Sequence, residues 1–274
     1  MRRVTEPTDA QDHEGSRRHR LADGAEDELV REEPLVLSVH GQELLTMRTP
    51  GRDLDLALGF LLGEGILDAR HRVASMRFVP GDPDRNTTDA VSVELQDPPS
   101  QEVRGRLSRT HEIRSSCGVC GIADADSILD SFPPLPPGAP RISSERVHAL
   151  LTALRERQPL FARTGGCHGA ILALADGTIV GTGEDVGRHN ALDKAIGQAA
   201  NAGVDFSRCI AVVSGRMGYD LAVKCLRVRI PVLVSVSAPS SLAFQLCESA
   251  GATLIGFARD AGFRVYTDQG RLAP

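Results

Sequence analysis

The sequence predicts two units of different class, a smaller N-terminal α+β unit and a C-terminal three-layer α/β domain. The last third holds apolar, buried-type runs at residues 210–213, 232–236 and 253–257, separated by helix-length stretches near 217–228 and 240–249. That βαβαβ order requires parallel strands with right-handed crossovers. Residues 34–62 read instead as a hairpin followed by one apolar helix. Between the two regions, residues 132–140 are dense in proline and form a stiff extended linker. The boundary is therefore expected near residue 140.

Residues 1–27 mix Arg, Asp, Glu, Gly and His with almost nothing to bury, and read as a disordered tail. Residues 34–39 read as a strand, His40-Gly41 as a turn, and 43–48 as the hairpin partner. Thr49-Pro50-Gly51 stops the sheet, and residues 53–62 make an apolar helix closed by Gly63 or Gly65. Residues 74–79 and 90–95 add two strands around a polar turn. The N-terminal unit thus spans 28–140 and ends in a Cys-x-x-Cys loop and the linker.

In the C-terminal unit, 141–274, Ser143 or Ser144 caps a helix running to about Arg157, with Val147, Leu150, Leu151 and Leu154 on its apolar face. Residues 161–170 lead into a strand at 171–175, Asp176-Gly177 turns, and 178–181 return. Gly183-Glu184-Asp185-Val186-Gly187-Arg188-His189-Asn190 is expected to open a second helix, with its acids at the favourable N-terminal end. His189 and Asp193, four apart, would share a face of that helix and bond each other. The alternative is a functional surface on which Arg188, His189 and Lys194 bind an anion. After each buried strand stands a small or basic loop: Ser214-Gly215-Arg216-Met217-Gly218, Ser237-Ala238-Pro239-Ser240-Ser241 and Arg259-Asp260-Ala261-Gly262. Open α/β sheets bind ligands beyond the carboxyl ends of their strands, so a nucleotide or other phosphate ester is expected there. Neither a Walker pattern nor Gly-x-Gly-x-x-Gly is present. Residues 263–267 can return as a final antiparallel strand.

The 274 residues are 41% hydrophobic and 24% charged, with no Trp, as in a globular protein. A formal net charge of -5 argues against general nucleic-acid binding, though a local basic stripe can still hold an anion. The polar start has no apolar h-region, and no apolar run approaches the ~20 residues of a membrane helix. The six cysteines do not form a disulfide pattern, and Cys209, Cys225 and Cys247 read as inert core thiols. A reduced, cytoplasmic protein is expected.

The chemistry concentrates in Ser115-Ser116-Cys117-Gly118-Val119-Cys120-Gly121. Arg104, Arg106, Arg109, His111 and Arg114 precede it, and positive charge near a thiol favours the nucleophilic thiolate. Four readings of the pair remain open on the residues alone. It could be half of a structural zinc site completed by Cys167 and His168, although adjacent ligands would strain to reach one ion. It could be a thioredoxin-like redox pair, although that motif follows a strand and opens a helix. It could be an unused surface dithiol. The fourth reading is a reactive thiolate at Cys117 that carries sulfur or an acyl group, assisted by Cys120 through exchange. Zinc deamination is disfavoured, because His111-Glu112 are adjacent and Ser116, not Pro, precedes Cys117.

Several long motifs stand in one order: Met47-Arg48-Thr49-Pro50, Leu58-Gly59-Phe60-Leu61-Leu62-Gly63-Glu64-Gly65-Ile66, the dithiol stretch, Thr164-Gly165-Gly166-Cys167-His168, Glu184-Asp185-Val186-Gly187-Arg188-His189-Asn190-Ala191-Leu192-Asp193-Lys194, Ser214-Gly215-Arg216, Ser237-Ala238-Pro239-Ser240-Ser241-Leu242 and Gly256-Phe257-Ala258-Arg259. In these the chain resembles the formate dehydrogenase accessory sulfurtransferase family, FdhD, from about residue 30 to the end. The resemblance implies a homodimer with a cytidine-deaminase-like C-terminal fold that lacks the zinc. It implies that a cysteine desulfurase loads sulfur onto the dithiol as a persulfide, with Cys117 as carrier. That sulfur would pass to the molybdenum or tungsten bis-molybdopterin guanine dinucleotide cofactor, bound as the substrate of sulfuration and needed by formate dehydrogenase. Phe257, Ala258, Arg259, Asp260, Ala261 and Gly262 would contact the guanine dinucleotide, joined at the strand ends by Ser214, Gly215, Arg216, Ser237, Arg188 and His189. A chaperone that only escorts the cofactor, with a structural zinc or redox Cys-x-x-Cys, is the alternative.

Overall fold

The computed structural model describes residues 15–68, 73–97, 100, 101, 105, 107 and 132–273. In the N-terminal unit, β3 (Glu33–Val39) and β4 (Gln42–Arg48) form the expected hairpin. Its turn residues His40 and Gly41 have φ of 51° and 82°, the left-handed pair that a two-residue turn between twisted strands requires. β5 (Val73–Val79) and β6 (Ala90–Leu95) complete a sheet of order β4-β3-β6-β5, with β6 parallel to β3. Leu35, Leu37, Val39, Val91 and Val93 alternate onto one face and are buried against Leu56, Ala57 and Leu61 of α1 (Asp53–Gly63).

The C-terminal unit is the expected three-layer α/β domain. Its six-stranded sheet runs β12-β11-β10-β9-β7-β8. β9 (Cys209–Val213), β10 (Val232–Ser235) and β11 (Thr253–Arg259) are parallel and joined through α5 (Tyr219–Arg227) and α6 (Ser241–Ser249). β7 (His168–Leu174), β8 (Ile179–Asp185) and β12 (Gly262–Thr267) pair antiparallel at the two sides. Successive residues feed opposite cores. Leu172, Ala211, Leu233 and Leu254 pack towards α5, α6 and α4 (Arg188–Asn201), while Ile171, Val212, Val234 and Ile255 pack towards α2 (Ser144–Glu156). Ser143 caps α2 by accepting a hydrogen bond from the Arg146 N–H at 3.3 Å. Cys209, Cys225 and Cys247 lie in the core as expected, and burial pushes the Cys209 and Cys247 thiols up to about 12.

Three expectations are corrected. Residues 16–30, assigned mostly to a disordered tail, form a hairpin of β1 (Ser16–Arg20) and β2 (Glu26–Val30). Its cross-strand partners include Arg18↔Glu28, His19↔Asp27 and Arg20↔Glu26, so opposite charges face each other across the ribbon. Residues 161–164, expected to lead into a strand, belong to the short helix α3 (Pro159–Thr164), with Pro159 at its start and Gly165 at φ 63° ending it. The acids Glu184 and Asp185 do not open a helix; they end β8, and α4 begins at Arg188.

Helix α1 also joins the two units. A Cβ on Gly59 would fall 1.8 Å from the Asp193 carbonyl oxygen, and one on Gly197 1.9 Å from that of Asp55. Only glycine at both points lets α1 and α4 cross this closely. Beside that crossing, Asp185 accepts from the Thr49 N–H at 3.0 Å and pairs with Lys194 at 2.8 Å, while Asn190 donates to the Met47 carbonyl at 2.7 Å. Arg48 is fully buried and pairs with Asp53 at 2.9 Å and Asp89 at 2.6 Å. The proline-rich stretch is extended and pinned to the C-terminal unit. Arg229 donates to the carbonyls of Pro133 and Pro134, and buried Arg271 to those of Pro136, Ala139 and Gly251.

Candidate functional site

Cys117 and Cys120, with the arginines before them, lie outside the described residues. The other expected site residues gather at one edge of the six-stranded sheet, because parallel β9, β10 and β11 all end there. Their loops touch. Ser240 N–H donates to the Met217 carbonyl and Phe257 N–H to the Ser237 carbonyl, each at 3.0 Å. Phe257 holds φ at 50°, an uncommon conformation for a bulky residue, beside an irregularity in the β11–β12 pairing. Its ring stays 36% exposed, with the Arg264 guanidinium 5.1 Å from its centroid. Ala258 is buried in the core, so only its backbone can meet a ligand. Asp260 pairs with Arg155 at 2.8 Å and forms the turn with Ala261, and Gly262 begins β12.

Ser214 is tied to β7 from both sides. Its Oγ accepts from the Gly169 N–H and its own N–H donates to the Gly169 carbonyl, each at 2.9 Å. Gly215 leaves the next position open, since a Cβ there would meet His168 Nδ1 at 3.4 Å. Arg216 is exposed, and neither it nor Arg188 has a carboxylate partner among the described residues. Among the described residues Arg259 donates only to the Val236 carbonyl, at 3.4 Å. Three arginines with spare donors thus border this edge, the arrangement that receives phosphate or another anion.

The Glu184–Lys194 motif divides between structure and site. Glu184 accepts from the N–H groups of Leu160 and Phe161 at 3.1 and 2.9 Å, and so caps α3. Asp185 and Lys194 are consumed by the contact with Thr49, so Lys194 is not the anion-binding group the sequence suggested. His189 and Asp193 do not bond each other. His189 Nε2 sits 3.5 Å from Asp220, and Asp193 pairs with Lys224 at 3.0 Å, which also reaches Glu64 at 2.8 Å. Both residues still lie on α4, but α5 supplies a partner to each.

Cys167 is buried and donates to Glu184 at 3.5 Å; burial and that carboxylate push its thiol up to about 12. At neutral pH this free thiol is protonated. Among the described residues no cluster of His, Cys, Asp or Glu could hold a metal ion. His168 is half-buried, and burial, then Arg188 and His189, push its pKa down. A cavity of about 440 Å³ opens between α2, α3 and the start of β7, lined by Gln158, Phe161, Cys167, His168, Ser214 and Val236 among others. Sequence reasoning missed Gln158 and Phe161. The one available signal was Pro159, which can start a helix and so place its neighbours on α3.

A profile of the FdhD/NarQ family matches residues 30–273. The chain belongs to the FdhD/NarQ family. It is 40% identical over 268 residues to the sulfur carrier protein FdhD of Streptomyces avermitilis, covering 93% of each chain. Against the sulfur carrier protein FdhD of Anaeromyxobacter dehalogenans the identity is 42% over 258 residues, with 90% of this chain and 88% of the relative covered. The sulfur carrier protein FdhD of Mycobacterium tuberculosis is 39% identical over 255 residues, 89% and 91% of the two chains. A crystal structure from Desulfotalea psychrophila, described as a formate dehydrogenase accessory protein, matches with a TM-score of 0.68. It covers 94% of this chain and 98% of its own, at 21% identity, and so speaks for the fold. The charged β1–β2 ribbon lies almost wholly ahead of the FdhD/NarQ match. Among the described residues no helix is long and apolar enough to cross a membrane.

Proposed function

We propose that the chain is a sulfur carrier that accepts persulfide sulfur from a cysteine desulfurase and delivers it to the molybdenum or tungsten bis-molybdopterin guanine dinucleotide cofactor for formate dehydrogenase. The observation that carries this reading is the match, over 93% of both chains, to a relative named as a sulfur carrier protein. The Cys117-x-x-Cys120 pair in its arginine-rich setting supports it from the sequence. The spare donors of Arg188, Arg216 and Arg259 at the strand ends suit a phosphate-bearing substrate. The working form is a cytoplasmic homodimer.

In the first step the Cys117 thiolate attacks the outer sulfur of the donor's cysteine persulfide. The donor S–S bond breaks, its cysteine leaves as a thiolate, and a new S–S bond forms on Cys117. In the second step the Cys120 thiolate attacks the Cys117 sulfur and expels the outer sulfur, at the level of hydrosulfide, to the metal. The resulting Cys117–Cys120 disulfide needs two electrons from a thiol reductant before the next cycle.

Intact mass after incubation with a cysteine desulfurase and cysteine tests the reading. One added, reductant-labile sulfur is expected in the wild type and none in Cys117→Ala. No added sulfur in the wild type, with one tightly held zinc per chain, would sink it and make the dithiol a structural metal site.

A further inference from the structure

The β1–β2 ribbon has one strand edge that the described residues leave unpaired. Its ends fix the phase of the ladder: the Arg31 N–H donates to the Gly15 carbonyl and the Leu21 N–H to the Ala25 carbonyl, each at 2.8 Å. Along an antiparallel pair the backbone groups alternate, one residue facing the partner strand and the next facing away. Arg17 and His19 therefore bond to β2, while the N–H and C=O groups of Arg18 and Arg20 point outward. Among the described residues those outward groups have no partner.

The other edge is in a different state. On β2 the outward Glu28 N–H is taken by the Asp27 carboxylate at 2.8 Å. The Glu28 carboxylate in turn accepts from Ser16 Oγ and from Arg163 Nε. The ribbon thus blunts one edge with its own side chains and leaves the β1 edge open. That open edge is basic. Arg17, Arg18, His19 and Arg20 are all exposed, and neither Arg18 nor Arg20 has an ion pair among the described residues.

A strand added here would place side chains beside Arg17 and His19 on one face and beside Arg18 and Arg20 on the other. Acidic residues complement those positions, whereas like charges directly opposite are unfavourable. A second copy of this chain is a poor occupant. Two β1 edges would oppose arginine to arginine, and the acids of β2 belong to the blunted edge. Single-stranded nucleic acid fits less well than peptide. The ribbon has no Phe, Tyr or Trp on which a base could stack, and its outward carbonyls would face phosphate oxygens.

We infer that the outer edge of β1 docks an acidic, extended segment of another protein, which joins the ribbon as a further strand. The backbone of Arg18 and Arg20 supplies the ladder, and the exposed guanidinium groups select the charge. The ribbon lies almost wholly ahead of the FdhD/NarQ match, so this contact is additional to what the family shares.

The test is anisotropy titration of full-length protein with a labelled, end-capped peptide of alternating Glu and Thr, about eight residues long. Binding is expected, and it should weaken as salt rises. Arg18→Glu combined with Arg20→Glu should reduce the affinity by about tenfold or more, while Cys117 still takes up sulfur. The same peptide N-methylated along its backbone keeps every charge but cannot donate to the edge, and should bind about tenfold more weakly. Amide hydrogen exchange on the unaltered chain gives a further readout, with peptide-dependent protection expected at Arg18 and Arg20. Equal binding of the N-methylated peptide, or protection confined to residues outside β1, overturns the inference. Binding of an oligothymidylate without binding of the peptide assigns the edge to nucleic acid and overturns it too. If neither probe binds while Cys117 takes up sulfur, the inference falls and the carrier reading stands.

Discussion

His168 begins β7 half-buried, close to Arg188 and His189, and its imidazole is easier to keep neutral there than in the unfolded chain. A depressed folded-state pKa gives stability that is fully present above the unfolded value, about 6.5, and is lost as pH falls below it. The wild type should therefore lose denaturation midpoint between pH 7.5 and pH 5.5, and His168→Gln should lose less over the same interval. Parallel losses in urea titrations of the two proteins would show that His168 does not titrate with folding. Gln158 and His168 share a cavity but not a legible signal. Strand-end loops such as Ser214-Gly215-Arg216 announce themselves by following an apolar run, whereas a cavity wall that includes Gln158 exists only once α3 has packed beside β7.

At the scale of elements, the α1–α4 crossing depends on two hydrogen atoms standing where methyl groups would otherwise be. Gly59→Ala is expected to force the helices apart and cost about 3 kcal/mol, at the upper end of overpacking effects. A thermal midpoint unchanged from wild type would mean that the crossing opens without resistance. Most of the elements were readable because their burial periodicity matches their geometry: β9, β10 and β11 are continuous apolar runs, and α2 shows a clear apolar face. The β1–β2 ribbon was not, because it is a largely exposed pair of charged strands, with Arg18 facing Glu28 and Arg20 facing Glu26, and buries almost no apolar surface. Glu184 and Asp185 looked like the first turn of a helix because acids favour that position. Their carboxylates are instead drawn away, one to the start of α3 and the other to Thr49 and Lys194.

At the scale of the whole molecule, two sheets are held together by a small number of buried polar contacts and the α1–α4 crossing. Asp185→Ala would leave Lys194 buried without its counter-charge, and a loss of about 3–5 kcal/mol is expected. Chemical denaturation followed by circular dichroism should show it, and a loss below 1 kcal/mol would mean that Lys194 finds another carboxylate or water. The pinned strap at residues 132–142 has a further implication. Its far end is gripped by Arg271, which lies 132 residues beyond the Ala139 carbonyl it holds. A ribosome makes the strap long before it makes the side chain that closes it. During synthesis the N-terminal sheet, the α1–α4 crossing and then β7 to β11 can form while the Pro136 and Ala139 carbonyls still wait for their donor. The far end of the strap is the last thing to set.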